Sequence, residues 1–123
     1  MKPIINNLVA MAHVADVQRS ADFYSQLGFR VVNTFKNDAG VLCWVYLRSG
    51  NAALMLTRAS EPVIAGQQAV LFYLYADDLI ALRELLLASG AAVSGISYPF
   101  YMQKGEIRLE DLDGYVLLIG QSD

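Results

Sequence analysis

The feature that most constrains this chain is an internal repeat. The stretches "DVQRSADFYSQLG" (16–28) and "DLIALRELLLASG" (78–90) superpose at a shift of 62 residues, which sets Asp16 on Asp78, Val17 on Leu79, Phe23 on Leu85 and Gly28 on Gly90. Each copy reads as one helix. An aspartate caps its first turn, an apolar stripe recurs at helical spacing, and a glycine free to adopt the left-handed conformation ends it. A supersecondary unit of this size cannot bury its apolar face alone, so the repeat predicts two copies of one plan within a single domain, 1–123.

The flanking segments complete the plan. "NNLVAMAHV" (6–14) is short and apolar, as a buried strand is. The helix capped by Asp16 runs to Leu27, with Val17, Ser20, Ala21, Tyr24 and Leu27 on its inward stripe. "FRVVNTF", "GVLCWVYLR" and "AALMLTR" follow, rich in β-branched and aromatic residues and separated by the turn-like "KNDAG" and "SGN". They predict three consecutive antiparallel strands. The second copy repeats the order: strand "AVLFYLYA", a helix capped by Asp77 or Asp78 and running to Ala88, then strands "AAVSGIS", "EIRLE" and "YVLLIG", with "DLDG" as the last tight turn. The sequence therefore predicts an α+β fold of tandem βαβββ modules, 5–58 and 69–121, joined by a Pro- and Gly-containing linker at 59–68.

Composition removes several classes of function. A net charge of −3 without any basic run excludes nucleic acid and anionic membranes as expected partners. No apolar segment reaches the ~18 residues of a spanning helix, and no signal-peptide pattern opens the chain, so a cytoplasmic protein is expected. The single cysteine, Cys43, sits in "VLCWVYL" and reads as a small core residue. An apolar fraction of 55%, against the usual roughly 45–50%, points to a pocket or subunit interface beyond the core. No nucleophile elbow, phosphate loop or Cys-His pair is present.

"VADVQRSADFYSQLGF" and "EDLDGYVLLI" resemble the two signature segments of the vicinal oxygen chelate superfamily, which holds glyoxalases, extradiol dioxygenases, fosfomycin-resistance enzymes and bleomycin-resistance proteins. The resemblance spans nearly the whole chain and implies a curved mixed sheet with paired modules forming a cup. It also implies a test. Metal-dependent members place one ligand on the first and last strand of each module, and those positions fall here on Val9, Met55, Leu71 and Leu118. None offers the carboxylate or imidazole that a hard divalent ion takes at about 2.0–2.2 Å, so no metal and no cofactor is expected. The chain is closest to the metal-free, bleomycin-resistance-like branch.

Strand alternation nominates what faces the cup. If Val9 points inward, so do Met11 and His13, then Ala53, Met55 and Thr57, then Leu71, Tyr73, Tyr75, Val116 and Leu118. Trp44 and Tyr46 oppose Cys43 in parity, and either set could face inward. His13, the only histidine, has three readings: metal ligand, general base, or a polar group at the cup mouth. The segment "YPFYMQKGEIRLED" (98–111) concentrates Tyr98, Phe100, Tyr101 and Met102 in one loop, a lid or a dimer contact. Glu106, Arg108 and Glu110 then alternate onto one face, either solvated ion pairs or a cup anchor with Arg108 at its centre. The candidate ligand-binding residues are Met11, His13, Trp44, Met55, Tyr73, Tyr75, Tyr101, Glu106 and Arg108, with no catalytic residue.

The function these residues favour is metal-free binding of a small hydrophobic or aromatic molecule, in a homodimer whose cups form within one chain or by exchange of modules. A lyase, isomerase or dioxygenase-like enzyme with a non-standard or metal-free site is the alternative. A structural domain without a small ligand is the third reading.

Overall fold

The computed structural model describes residues 4–123, and the chain divides into two compact units at the Val63–Ile64 bond. The first unit holds β1 (Ala10–Val14), α1 (Val17–Ser25), β2 (Arg30–Lys36), β3 (Leu42–Ser49) and β4 (Ala52–Arg58). Its strands form one mixed sheet in the order β1-β4-β3-β2, parallel between β1 and β4 and antiparallel elsewhere. The second unit holds a short 3-10 turn (Ala65–Gln67), β5 (Leu71–Ala76), α2 (Leu79–Ala88), β6 (Glu106–Glu110) and β7 (Val116–Gln121). Its sheet runs β5-β7-β6, with β5 and β7 parallel. Two small sheets and two helices make the α+β architecture that the repeat predicts.

The local causes are those read from the sequence. Asp16 accepts a hydrogen bond from the Arg19 amide at 3.0 Å, and Asp78 accepts one from Ala81 at 3.0 Å, so Asp78 rather than Asp77 is the second cap. Each cap satisfies an amide that a helix start leaves unpaired. Gly28 and Gly90 follow the helices at φ of +91° and +86°, which only glycine adopts cheaply. Asn37 folds the β2–β3 turn by accepting from the amides of Ala39 and Val41. Asp111 does the same for the β6–β7 turn, accepting from Asp113 and Tyr115 at 2.9 Å each.

Each helix covers one face of its sheet. Val17, Ala21 and Tyr24 of α1 are buried with Ala12, Val14, Val45, Leu47, Leu54 and Leu56, and Tyr24 meets Phe29 edge-on with ring centroids 5.9 Å apart. In the second unit Leu79 and Leu86 are buried with Ile107, Leu109, Leu117 and Ile119. Burying side chains of this size contributes about 1.5–3 kcal/mol each, which holds helix to sheet.

Four details depart from the sequence-based expectation. β1 begins at Ala10 rather than residue 6, because its parallel ladder needs β4 opposite, and Asn7 instead hydrogen-bonds the Leu8 amide. The first helix stops at Ser25, with residues 26–28 forming the turn into β2. The stretch 59–68 is not plain linker: Ala65–Gln67 makes a 3-10 turn, and Gln68 donates to the Asp113 carbonyl at 3.2 Å.

The largest departure is "AAVSGIS" (91–97), which forms no strand and pairs with β6 only at the Ser97–Glu106 bridge. Ser94 is the cause. Its amide does donate to the Arg108 carbonyl, but its hydroxyl takes the Arg108 amide and its carbonyl accepts from Arg83. A side chain thus occupies the ladder's next bond, and the neighbouring Gly95 adds little strand propensity.

Candidate functional site

Since α1 packs on β2, β3 and β4 and α2 on β6 and β7, each sheet keeps one face that no helix covers. Strand pairing aligns the side chains on those faces into rows. In the first unit one row is Met11, Met55, Tyr46 and Asn33, and the next is His13, Thr57, Trp44 and Phe35. Trp44 and Tyr46 therefore share the face of Met11 and His13, which settles the parity that the sequence left open. Trp44 and Tyr46 meet edge-on at 6.4 Å. Met11, His13 and Phe35 are exposed, while Trp44, Tyr46, Met55 and Thr57 are half-buried. This surface is largely apolar and polarisable, and the His13 imidazole and the Tyr46 phenol are the ionisable groups among these eight residues.

The second unit's open face has three rows: Leu71, Val116 and Glu110; Tyr73, Leu118 and Arg108; Tyr75, Gly120 and Glu106. Glu106 is its chemical centre. The residue is only 7% exposed. Its backbone is pinned by a reciprocal pair of hydrogen bonds with Ser97 at 2.8 and 2.9 Å. Its two carboxylate oxygens are each taken by a tyrosine: the Tyr73 hydroxyl donates to Oε2 at 2.7 Å and the Tyr101 hydroxyl to Oε1 at 3.0 Å.

Gly120 makes this geometry possible. A Cβ there would lie 2.8 Å from the Tyr73 hydroxyl and 2.7 Å from the Met102 methyl carbon, both too close. The bare glycine lets the tyrosine lean across the strand to the diagonal carboxylate. A glycine inside a strand marks such a close approach, and "YVLLIG" carried that signal unread.

The electrostatic consequence falls on the phenols. Desolvation, followed by the hydrogen bond to Glu106 and its negative charge, raises the Tyr73 hydroxyl far above the ordinary phenol range. The Tyr101 hydroxyl is raised too, first by its hydrogen bond to Glu106. Both tyrosines thus keep their protons and act as donors, not bases. Around them runs a chain of rings: Tyr75 to Tyr73 at 5.2 Å, Tyr73 to Tyr101 at 6.4 Å, and Tyr101 to Phe100 at 5.5 Å. Tyr75, Tyr101 and Phe100 are exposed at 68%, 55% and 88%.

Of the nominated residues, Met11, His13, Trp44 and Met55 come together on the first open face, and Tyr73, Tyr75, Tyr101, Glu106 and Arg108 on the second. Arg108 takes a lesser part than its position suggested. Its guanidinium pairs with Glu110 at 3.2 Å, and both side chains are about half exposed. The buried anchor is Glu106, a nominated residue that alternation set on one face with Arg108 and Glu110 without distinguishing it from them. Phe35 and Gly120 complete the faces and were not nominated.

The positions where a metal would be held do not suit one. Met55, Leu71 and Leu118 face the open surfaces with apolar side chains, and Val9 lies before β1. Among the described residues no three His, Cys, Asp or Glu side chains gather as a donor set. No helix among them is long and apolar enough to cross a membrane.

The family model of the Glyoxalase/Bleomycin resistance protein/Dioxygenase superfamily matches residues 7–119. No curated protein matches the chain. Among solved structures, a bleomycin resistance determinant encoded on the transposon Tn5 shares 19% identity over 97% of this chain and 99% of its own, with a TM-score of 0.77. A bleomycin-binding protein complexed with bleomycin shares 19% over 97% of this chain and 100% of its own, at 0.76. TnmS3, an antibiotic binding protein from a Streptomyces strain, shares 22% over 99% and 100%, at 0.75. At these identities the likeness is one of fold.

Proposed function

Because the chain belongs to the Glyoxalase/Bleomycin resistance protein/Dioxygenase superfamily, we propose that it is a metal-free small-molecule-binding protein that holds a hydrophobic or aromatic ligand on its open sheet faces. The observation that carries this reading is the second open face, where four aromatic rings form a chain and two of them hold one buried carboxylate through their hydroxyls. Exposed aromatic surface of that kind stacks a flat ligand, each ring pair contributing about 0.5–1.5 kcal/mol beyond area burial. A few fixed polar groups then orient it, as binding sites generally require. The first unit's open face is a separate surface of the same class, with Trp44, Tyr46 and two methionines, the last being side chains that adapt to irregular apolar shapes. Two of the structural relatives are described as binding an antibiotic, which supports the same class of activity.

The second face offers no nucleophile beside a base: Tyr73 and Tyr101 are held protonated, and Glu106 already accepts from both. Binding without chemistry is the reading this favours. The apolar side chains left exposed on β2, Val31, Val32 and Phe35, support pairing of two copies as a homodimer.

The test is a panel of flat aromatic compounds titrated while the fluorescence of Trp44, the only tryptophan, and the melting temperature are followed. Saturable quenching with a raised melting temperature is expected, unchanged by chelator. Stoichiometric zinc, nickel, iron or manganese in the purified protein, with loss of stability on chelation, would overturn the metal-free reading. Silence across the whole panel would overturn the binder itself. Light scattering on the same sample is expected to give the mass of two chains.

A further inference from the structure

We propose, resting on the reading above, that Glu106 is the anchor for a cationic nitrogen carried by the aromatic ligand, and that the Tyr101 hydroxyl holds that place until the ligand displaces it. Three observations combine. First, the carboxylate is buried and takes hydrogen bonds only from neutral hydroxyls. The basic side chains nearest in sequence are committed elsewhere, Lys104 to Asp123 and Arg108 to Glu110, and among the described residues no ion pair reaches Glu106. A buried charge without a counter-charge is costly, so a cation arriving there recovers attraction that two phenols do not supply.

Second, the two donors are held very differently. Tyr73 stands on β5, and its ring is laid across Gly120 by the sheet itself. Tyr101 belongs to the turn between Ser97 and β6, is more than half exposed, and reaches the carboxylate by one hydroxyl on Oε1, with its ring edge-on to Tyr73. It is the bond that can open without disturbing a strand. Third, the two tyrosines on the carboxylate continue into a chain of rings, Tyr75 beside Tyr73 and Phe100 beside Tyr101, whose faces attract cations as well as stack on aromatic groups. An aryl amidine or an aromatic amine satisfies both demands, with its ring on the tyrosines and its N–H groups on Glu106. An aryl carboxylate satisfies only the first and is repelled at the second.

The experiment compares benzamidine with its neutral isostere benzamide by NMR titration of the wild-type chain, Glu106→Gln and Tyr101→Phe. In the wild type benzamidine is expected to bind at least tenfold more tightly. Glu106→Gln is expected to abolish the preference, so that benzamidine and benzamide bind alike. Tyr101→Phe keeps the ring but removes the competing hydroxyl, so benzamidine is expected to tighten and its preference over benzamide to grow several-fold. Equal binding in the wild type, a preference that survives Glu106→Gln, or weaker benzamidine binding in Tyr101→Phe would overturn the inference. Should Glu106→Gln fold poorly, the wild-type ratio and the exposed Tyr101→Phe still decide it. Equal binding by both compounds leaves the aromatic-binder reading standing, and binding by neither sinks the anchor. The reading itself falls only if the wider aromatic panel also fails.

Discussion

The two units are built on one plan, and the corresponding turn in each shows how far they have diverged. Gly50 joins β3 to β4 and Gly114 joins β6 to β7, both with positive φ, at +57° and +85°. Nothing lies near Gly50, whereas a Cβ on Gly114 would fall 2.6 Å from the backbone of Ala65, in the 3-10 turn that the first unit lacks. The helices differ in the same way. α1 buries four residues and shows solvent Gln18, Arg19 and Asp22, while α2 buries two and exposes Ile80, Leu85 and Leu87. The open faces differ most, one apolar and the other centred on a buried anion. A repeat therefore preserves caps and turns, which local chemistry dictates, and frees the faces that local chemistry does not use.

Substitution can break or sharpen this comparison. The largest contrast is expected at the turn glycines. Gly50→Ala carries only the left-handed strain, about 1–2 kcal/mol, while Gly114→Ala adds the clash with Ala65 and reaches about 2–5 kcal/mol in urea unfolding. Equal costs would mean that the 3-10 turn yields freely and the two turns are equivalent after all.

Next comes the carboxylate. Glu106→Gln is expected to lower stability by about 1–3 kcal/mol, the cost of weakening a charged acceptor beneath a tyrosine. Its clearer signature is ultraviolet titration of the seven tyrosines. Tyr73 and Tyr101 should ionise last in the wild type and fall back toward the others in the variant. Because both phenols are raised in the folded state, the stability they contribute is complete below the ordinary value near ~10 and is lost as pH rises beyond it. A wild-type curve in which all seven titrate together would remove the fork.

The caps are expected to match. Asp16→Ala and Asp78→Ala should each cost about 1 kcal/mol, the shared inheritance of the two copies. The smallest effect is at Arg108→Ala, whose exposed pair with Glu110 contributes about 0–1 kcal/mol. A larger loss there would favour Arg108 as a cup anchor over the solvated ion pair, the two readings that alternation left open.

Local signals determined what the sequence could announce. Asp16, Asp78, Gly28, Gly90 and Asn37 act within a few residues of themselves, so helix ends and turns were legible, and strand alternation already grouped Met11 with His13, Tyr73 with Tyr75, and Glu106 with Arg108. Two matters needed the tertiary structure. The strand foreseen at 91–97 was lost to Ser94, whose side chain competes for a bond that only its neighbour across the sheet can offer. In "EIRLE" all three charged residues share one face, and nothing in the stretch distinguishes Glu106 from Glu110. What separates them is the approach of Tyr73 over Gly120 and of Tyr101 from its turn, contacts between residues far apart or differently held in the chain. Burial of a charge is decided by what covers it, and only the folded chain brings the cover.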